Sequence, residues 1–179
     1  MKKLFFTFLI FSLVSVFCSA QNKKSLAHFW DIPWGIPIER AEAIFTERGI
    51  DTMRDENSLI AHTVYEREES IMILIFNRSN RFHSANVIYP ASANTVLPKY
   101  ENYRAVLFRR YGMPDTAVAY FVSPFQNGDG REIEAISTEN AFFFTQWNFE
   151  DTNQASVTIL SDLSICLSFQ SPTFGDTPR

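Results

Sequence analysis

Residues 71–76 read IMILIF, six apolar residues in a row between Ser70 and Asn77. A strand covered on one face alternates apolar with polar, but this run sets Ile71, Ile73 and Ile75 on one side and Met72, Leu74 and Phe76 on the other. It is far short of the roughly 20 residues a membrane-crossing helix needs. The run therefore predicts a central strand with two apolar faces, and one layer of helices can cover only one of them. Residues 142–144 (FFF) break alternation in the same way. The candidate face for a partner, ligand or second layer is assigned to Met72, Leu74 and Phe76, together with Phe142 and Phe144.

Two helices supply the first layer. Ile38, Ala41, Ile44 and Phe45 recur at helical spacing from Pro37 to Arg48, with Pro37 suited to the first helical position. Gly49 then ends the helix as a left-handed cap, with Ile50 folding back on Phe45. A second helix is predicted from Leu97 to Tyr111, with Tyr100, Tyr103, Leu107 and Tyr111 on one stripe. Its ending repeats the first, with Gly112 as cap, Met113 against Phe108 and Pro114 blocking continuation. The paired cap glycines hint at an internal duplication.

Strands are predicted at 58–66, 70–77 and 81–89, then at 116–123, 141–149, 154–160 and 163–170, with a short helix in GREIEAISTEN. Polar junctions such as EREE and NRSN suit hairpins, so neighbours are antiparallel. The expected fold is α+β: an antiparallel sheet of six or seven strands with two main helices on one face, in the order α-βββ-α-β-(short α)-βββ.

The chain opens MKKLFFTFLIFSLVSVFCSAQ, a basic start, an apolar run from Leu4 to Phe17 and a small-residue exit at Ser19 and Ala20. This is the pattern of a secretory signal peptide over residues 1–20. The bulky Phe17 stands where a lipoprotein signal places a small residue, so soluble export is preferred to lipidation at Cys18. Residues 21–28 read as a flexible leader, 29–170 as one domain and 171–179 as a loose tail. The chain has 16 basic residues, and losing Lys2 and Lys3 leaves 14 against 20 acidic, a net charge of −6. Such a surface is no general nucleic-acid binder and carries no polybasic membrane patch. Only Cys166 would survive processing, so stability rests on packing, for which the chain carries 18 phenylalanines.

No catalytic set is legible. His28, His62 and His83 are each isolated, with no paired cysteines and no zinc-type spacing. NGDGREIEAISTE has Asp129 at the third position of a calcium loop, but Arg131 and Thr138 stand where the fifth and twelfth ligands belong. Gly128 and Gly130 precede no phosphate-loop lysine. Cys166, in SICLSF, has no positive neighbour to stabilise a thiolate. Glu68-Glu69 and Glu150-Asp151 read as solvated turn charges, and Arg104, Arg109 and Arg110 as a solvated helix face. No cofactor is implied.

IPWG at 32–35 before a helix, LFRRYGMPD at 107–115 ending the next, and Trp147 in TQWNF resemble a broad group of small exported bacterial proteins of unknown function. In that group a WG-helix unit and a YG-x-P helix end precede a Trp-bearing strand. The resemblance implies structural roles for Trp34, Gly49, Gly112, Pro114 and Trp147 and carries no catalytic residue. It departs at Ile36-Pro37, where a Ser or Thr cap is commoner. More remotely, the architecture is similar to outer-membrane assembly lipoproteins and β-lactamase-inhibitor proteins, which are binding modules.

The function expected is that of a non-catalytic exported module, periplasmic or secreted, using an apolar sheet face to hold a protein partner or a second copy of itself. One alternative is a carrier of lipid or a small apolar ligand, with the sheet curled around a cavity. Another is a monomer in which FWDIPWG covers the second face. An enzyme assembled from scattered residues is the least favoured reading.

Overall fold

A computed structural model describes residues 25–175. The signal-like stretch 1–20, Cys18, the leader as far as residue 24 and the tail beyond 175 lie outside the described residues. A small hairpin, β1 (His28–Phe29) and β2 (Ile32–Pro33), leads into helix α1 (Ile38–Glu47). Four strands follow, β3 (Thr52–Asp55), β4 (Ser58–Tyr65), β5 (Glu68–Phe76) and β6 (Phe82–Tyr89). Helix α2 (Val96–Tyr111) then precedes β7 (Thr116–Phe121), the short helix α3 (Glu132–Ser137), β8 (Ala141–Asn148), β9 (Gln154–Ile159) and β10 (Ile165–Gln170).

The eight strands β3 to β10 form one antiparallel sheet in the order β3-β4-β5-β6-β10-β9-β8-β7. The fold is α+β as expected, with one strand more than the sequence suggested. The addition is β3, whose residues TMRD lack the apolar alternation by which strands are recognised. The two halves share a topology: each begins with a main helix followed by four strands, and their last strands, β6 and β10, meet in the middle.

Helix α1 buries Ile38, Ala41 and Phe45, and α2 buries Val96, Tyr100, Tyr103 and Leu107. Beneath them lie Leu59, Ala61, Met72, Leu74, Phe76, Ala85, Val87, Tyr89, Val157, Leu167 and Phe169 in one continuous core. The N-terminal hairpin fills the same layer. Phe29 meets Phe169 and Tyr65 at ring separations of 5.0 and 5.7 Å, and Trp34 stacks on Phe82 at 4.7 Å.

The helix ends differ from one another. At α1 the Ile50 N–H bonds the Phe45 carbonyl and the Gly49 N–H that of Thr46, the paired closure of a Schellman ending. Pro37 is the residue just before α1, and the Ile38 N–H is capped from 42 residues away by Asn80 Oδ1 at 3.0 Å. That side chain replaces the Ser or Thr missing at Ile36-Pro37. At α2 the expected repeat of the Schellman ending does not form. Gly112 has φ 79° and ψ −153°, which throws the chain outward, so Met113 is 68% exposed instead of folding back.

Both termini of the domain are tied down further than the sequence suggested. The Leu26 carbonyl, within the expected leader, accepts from Trp34 Nε1 at 2.6 Å and from Asn153 Nδ2 at 2.8 Å. The start of the expected loose tail forms a single 3-10 turn, Pro172–Phe174, whose Phe174 carbonyl accepts from Asn77 Nδ2 at 2.7 Å. Gly35 is where the chain lets that ring approach, since a Cβ there would come within 2.5 Å of it. None of the helices among the described residues is long and apolar enough to cross a membrane.

Candidate binding face

The hairpin register decides which face of IMILIF is covered. The two-residue turn at Glu66 and Arg67 pairs Ala61 with Met72 and Leu59 with Leu74, and all four lie under the helices. Met72, Leu74 and Phe76 are therefore core residues, 0%, 0% and 3% exposed, and cannot meet a partner. The assignment of these three to the binding face is corrected: the uncovered side carries Ile71, Ile73 and Ile75, each half-buried. The cover over Met72, Leu74 and Phe76 comes from this chain itself, from the helices and the FWDIPWG hairpin. The signal lay in the neighbouring strands, because Ile71 pairs with His62, Ile73 with Asn86, and Ile75 with Ser58 and Ser84. Polar partners mark the side that meets water.

Phe142 and Phe144 belong to this open side, opposite in direction to Met72, Leu74 and Phe76. Their rings stack at 5.6 Å with 18° between planes, and Phe142 is 50% exposed. Across the β7–β8 pair, Tyr120 lies opposite Phe142 and Val118 opposite Phe144. The open face thus holds two apolar patches. One is aliphatic, built on Met53, Ile60, Ile71, Ile73 and Ile88; the other is aromatic, built on Val118, Tyr120, Phe142 and Phe144. Between them runs a strip of small and polar side chains, Asn86, Ser168 and Ser156, in register across β6, β10 and β9. Cys166 sits in the same strip, 8% exposed, and burial pushes its thiol up to about 11, which keeps it protonated and unreactive.

The residues implied to be structural lie on the helix side. Trp147 is fully buried and its Nε1 donates to the Gly112 carbonyl at 2.8 Å, joining β8 to the end of α2. Pro114 borders a depression of about 350 Å³ beside it, with Phe108, Met113 and Ala117 on its rim.

Other charged groups are engaged locally. Asp129 accepts from the Gln126 and Arg131 N–H groups, as a turn leading into α3. Glu68 is no solvated turn charge: it takes the Lys99 ammonium and the Tyr103 hydroxyl, the latter at 2.6 Å, and ties β5 to α2. Burial alone would raise its carboxyl, but those two hydrogen bonds outweigh it and hold the group below the usual range. Arg110 is likewise no free surface charge, since it pairs with Glu66 at the β4–β5 turn. His62 is exposed on the open face, His83 lies on β6 with β5 between them, and His28 stands 4.0 Å from Asp31. Among the described residues, no group of three or more His, Cys, Asp or Glu side chains could hold a metal ion.

A hollow of about 540 Å³ forms a groove between the β1–β2 turn, the β4–β5 turn and the end of α2, lined by Phe29, Trp30, Tyr65, Glu66, Arg110 and Tyr111. Its Glu66 and Arg110 are paired with each other, and the Trp30 ring is already covered by the Arg48 guanidinium at 4.6 Å. Burial pushes the Tyr65 hydroxyl up to about 12, so it stays neutral. A hollow of about 520 Å³ opens on the sheet face beside His62, Val64 and Ile71. Comparison of the chain with protein-family models, curated proteins and solved structures gave no match.

Proposed function

We propose that this chain is a non-catalytic, exported protein-binding module of the cell envelope or extracellular space, which holds its partner on the open face of the sheet. The observation that carries the reading is the pair of apolar patches on a face without a second layer among the described residues. Exposed apolar area in contiguous patches is what interfaces present, whereas single exposed hydrophobes need no explanation. Tyr120 and Phe142 supply rigid aromatic anchors, and the central serines offer hydrogen bonds. The signal-like residues 1–20 and the likeness to small exported bacterial proteins support the location. The absence of any catalytic motif in the sequence, and the pairing of Glu66 with Arg110 in the groove, support a role in binding.

A photo-crosslinking residue placed at Phe142 or Ile73 in the producing cell tests this. Adducts to protein are expected from both sites, and none from the same probe at the exposed Arg109 on α2. Silence at both open-face positions, or equal labelling from Arg109, would reject the reading.

A further inference from the structure

The sheet has two edges, and they are built differently. The β3 edge is four residues long and carries Arg54 and Asp55, with Arg54 held by Glu39 at 3.1 Å. Short charged edges resist pairing with another strand. The β7 edge is six residues, TAVAYF, with no charge and no proline inside it. Thr116 to Tyr120 are all exposed, and only Phe121 at the strand's end packs inward, edge-on against Phe143 at 5.6 Å.

The hydrogen-bond ladder fixes which backbone groups this edge leaves open. The Phe149 N–H bonds the Asn153 carbonyl, which places the odd-numbered residues of β8 toward β9. The even-numbered ones therefore face β7, and the Val122 N–H to the Asn140 carbonyl shows the same phase from the other strand. By alternation, the N–H and C=O groups of Ala117, Ala119 and Phe121 point away from the sheet, equally spaced and unprotected.

We infer that β7 pairs antiparallel with β7 of a second copy of this chain, about a two-fold axis through Ala119, so that two sheets become one. The inference rests on the reading of the chain as a protein-binding module and names a partner for its aromatic end. The edge is self-complementary in this register. Ala119 meets its own copy, where a small side chain permits close approach, and Ala117 meets the second copy's Phe121. On the open face Val118 meets the second copy's Tyr120, which merges the two aromatic patches. Asp115 lies outside this ladder, its N–H turned inward to the Gln146 carbonyl, and the paired stretch itself carries no charge. A two-fold contact of this kind closes on itself, and the charged β3 edge stops growth into a filament.

Light scattering of the purified full chain over a concentration series should show a dimer that dissociates on dilution. Ala119→Pro removes an outward N–H while leaving the β8 ladder intact, and it does so twice about the axis. It should weaken the dimer roughly tenfold or more. Ala119→Cys should link two chains under mild oxidation, with buried Cys166 a poor competitor, while Thr116→Cys should not. A monomer at every concentration, a dimer indifferent to Ala119→Pro, or cross-linking from Thr116→Cys equal to that from Ala119→Cys would each overturn the pairing. A monomer whose Phe142 position still cross-links to a different protein defeats the pairing and leaves the binding reading standing. A persistent dimer with no adducts from Phe142 or Ile73 defeats the wider reading instead.

Discussion

Gly112 carries two jobs in one residue. Its φ of 79° with ψ of −153° is a conformation essentially closed to side-chain-bearing residues, and its carbonyl receives the Trp147 indole. Gly112→Ala is therefore expected to destabilise the protein by about 1–3 kcal/mol. Gly49→Ala should cost about 1 kcal/mol, because a Cβ there meets nothing and only the left-handed backbone is penalised. Urea unfolding of the two variants would show the difference. Both glycines were legible as helix ends from the sequence, but their distinct geometries were not, since Gly-Ile and Gly-Met-Pro look alike until Trp147 is brought alongside. Glu68 was likewise unreadable: nothing local says that Lys99 and Tyr103 will reach it. A carboxylate held below its ordinary value stabilises the fold above the unfolded pKa of about 4.3, and that contribution fades as pH falls through the lower folded value. Glu68→Gln should then cost about 1 kcal/mol or less at pH 7, given that the side chain is 40% exposed, and progressively less as the pH is lowered through the acid range, measured by urea unfolding across it.

At the scale of elements, most helices and strands follow from periodicity, and the exceptions have local causes. Strand β3 escaped because an edge strand kept safe from pairing is short and charged, which erases the alternation used to find it. The start of α1 was legible, yet its cap comes from Asn80 in the β5–β6 turn, a distance no local pattern spans. Asn80→Ala should cost about 0.5–2 kcal/mol by leaving the Ile38 N–H without that acceptor, an effect that thermal unfolding would read. In β5 an all-apolar run contains no information about which face is inside; only the polar partners on β4 and β6 supply it. Leu74→Ala should accordingly cost about 2–5 kcal/mol. Ile73→Ala, on the open side, should cost about 1 kcal/mol, since only part of the side chain leaves water on folding. Equal losses at the two positions would place the helix layer on the wrong face.

At the scale of the whole molecule, the sheet is an asymmetric slab. One side is sealed by α1, α2 and the N-terminal hairpin, and the other presents aliphatic and aromatic patches around a strip of small polar residues. The α+β class and the two-helix layer could be read from the chain. The open face could be read only in part, because Phe142 and Phe144 were found while their companions Ile71 and Ile73 were exchanged for the buried Met72 and Leu74. The distinction between a docking face and a merely incomplete core is energetic. Core side chains hold the monomer together, whereas docking side chains contribute to it little and to the complex much. The most direct measurement is therefore a paired one on Ile73→Ser with Phe142→Ser: unfolding midpoint of the purified protein, and capture in the cell, through a probe at Tyr120, of proteins other than a second copy of this chain. The expected result is a fold weakened by no more than about 2 kcal/mol with the Tyr120 adducts lost. A collapsed fold, or adducts undiminished in a stable one, would contradict a binding face on this side of the sheet.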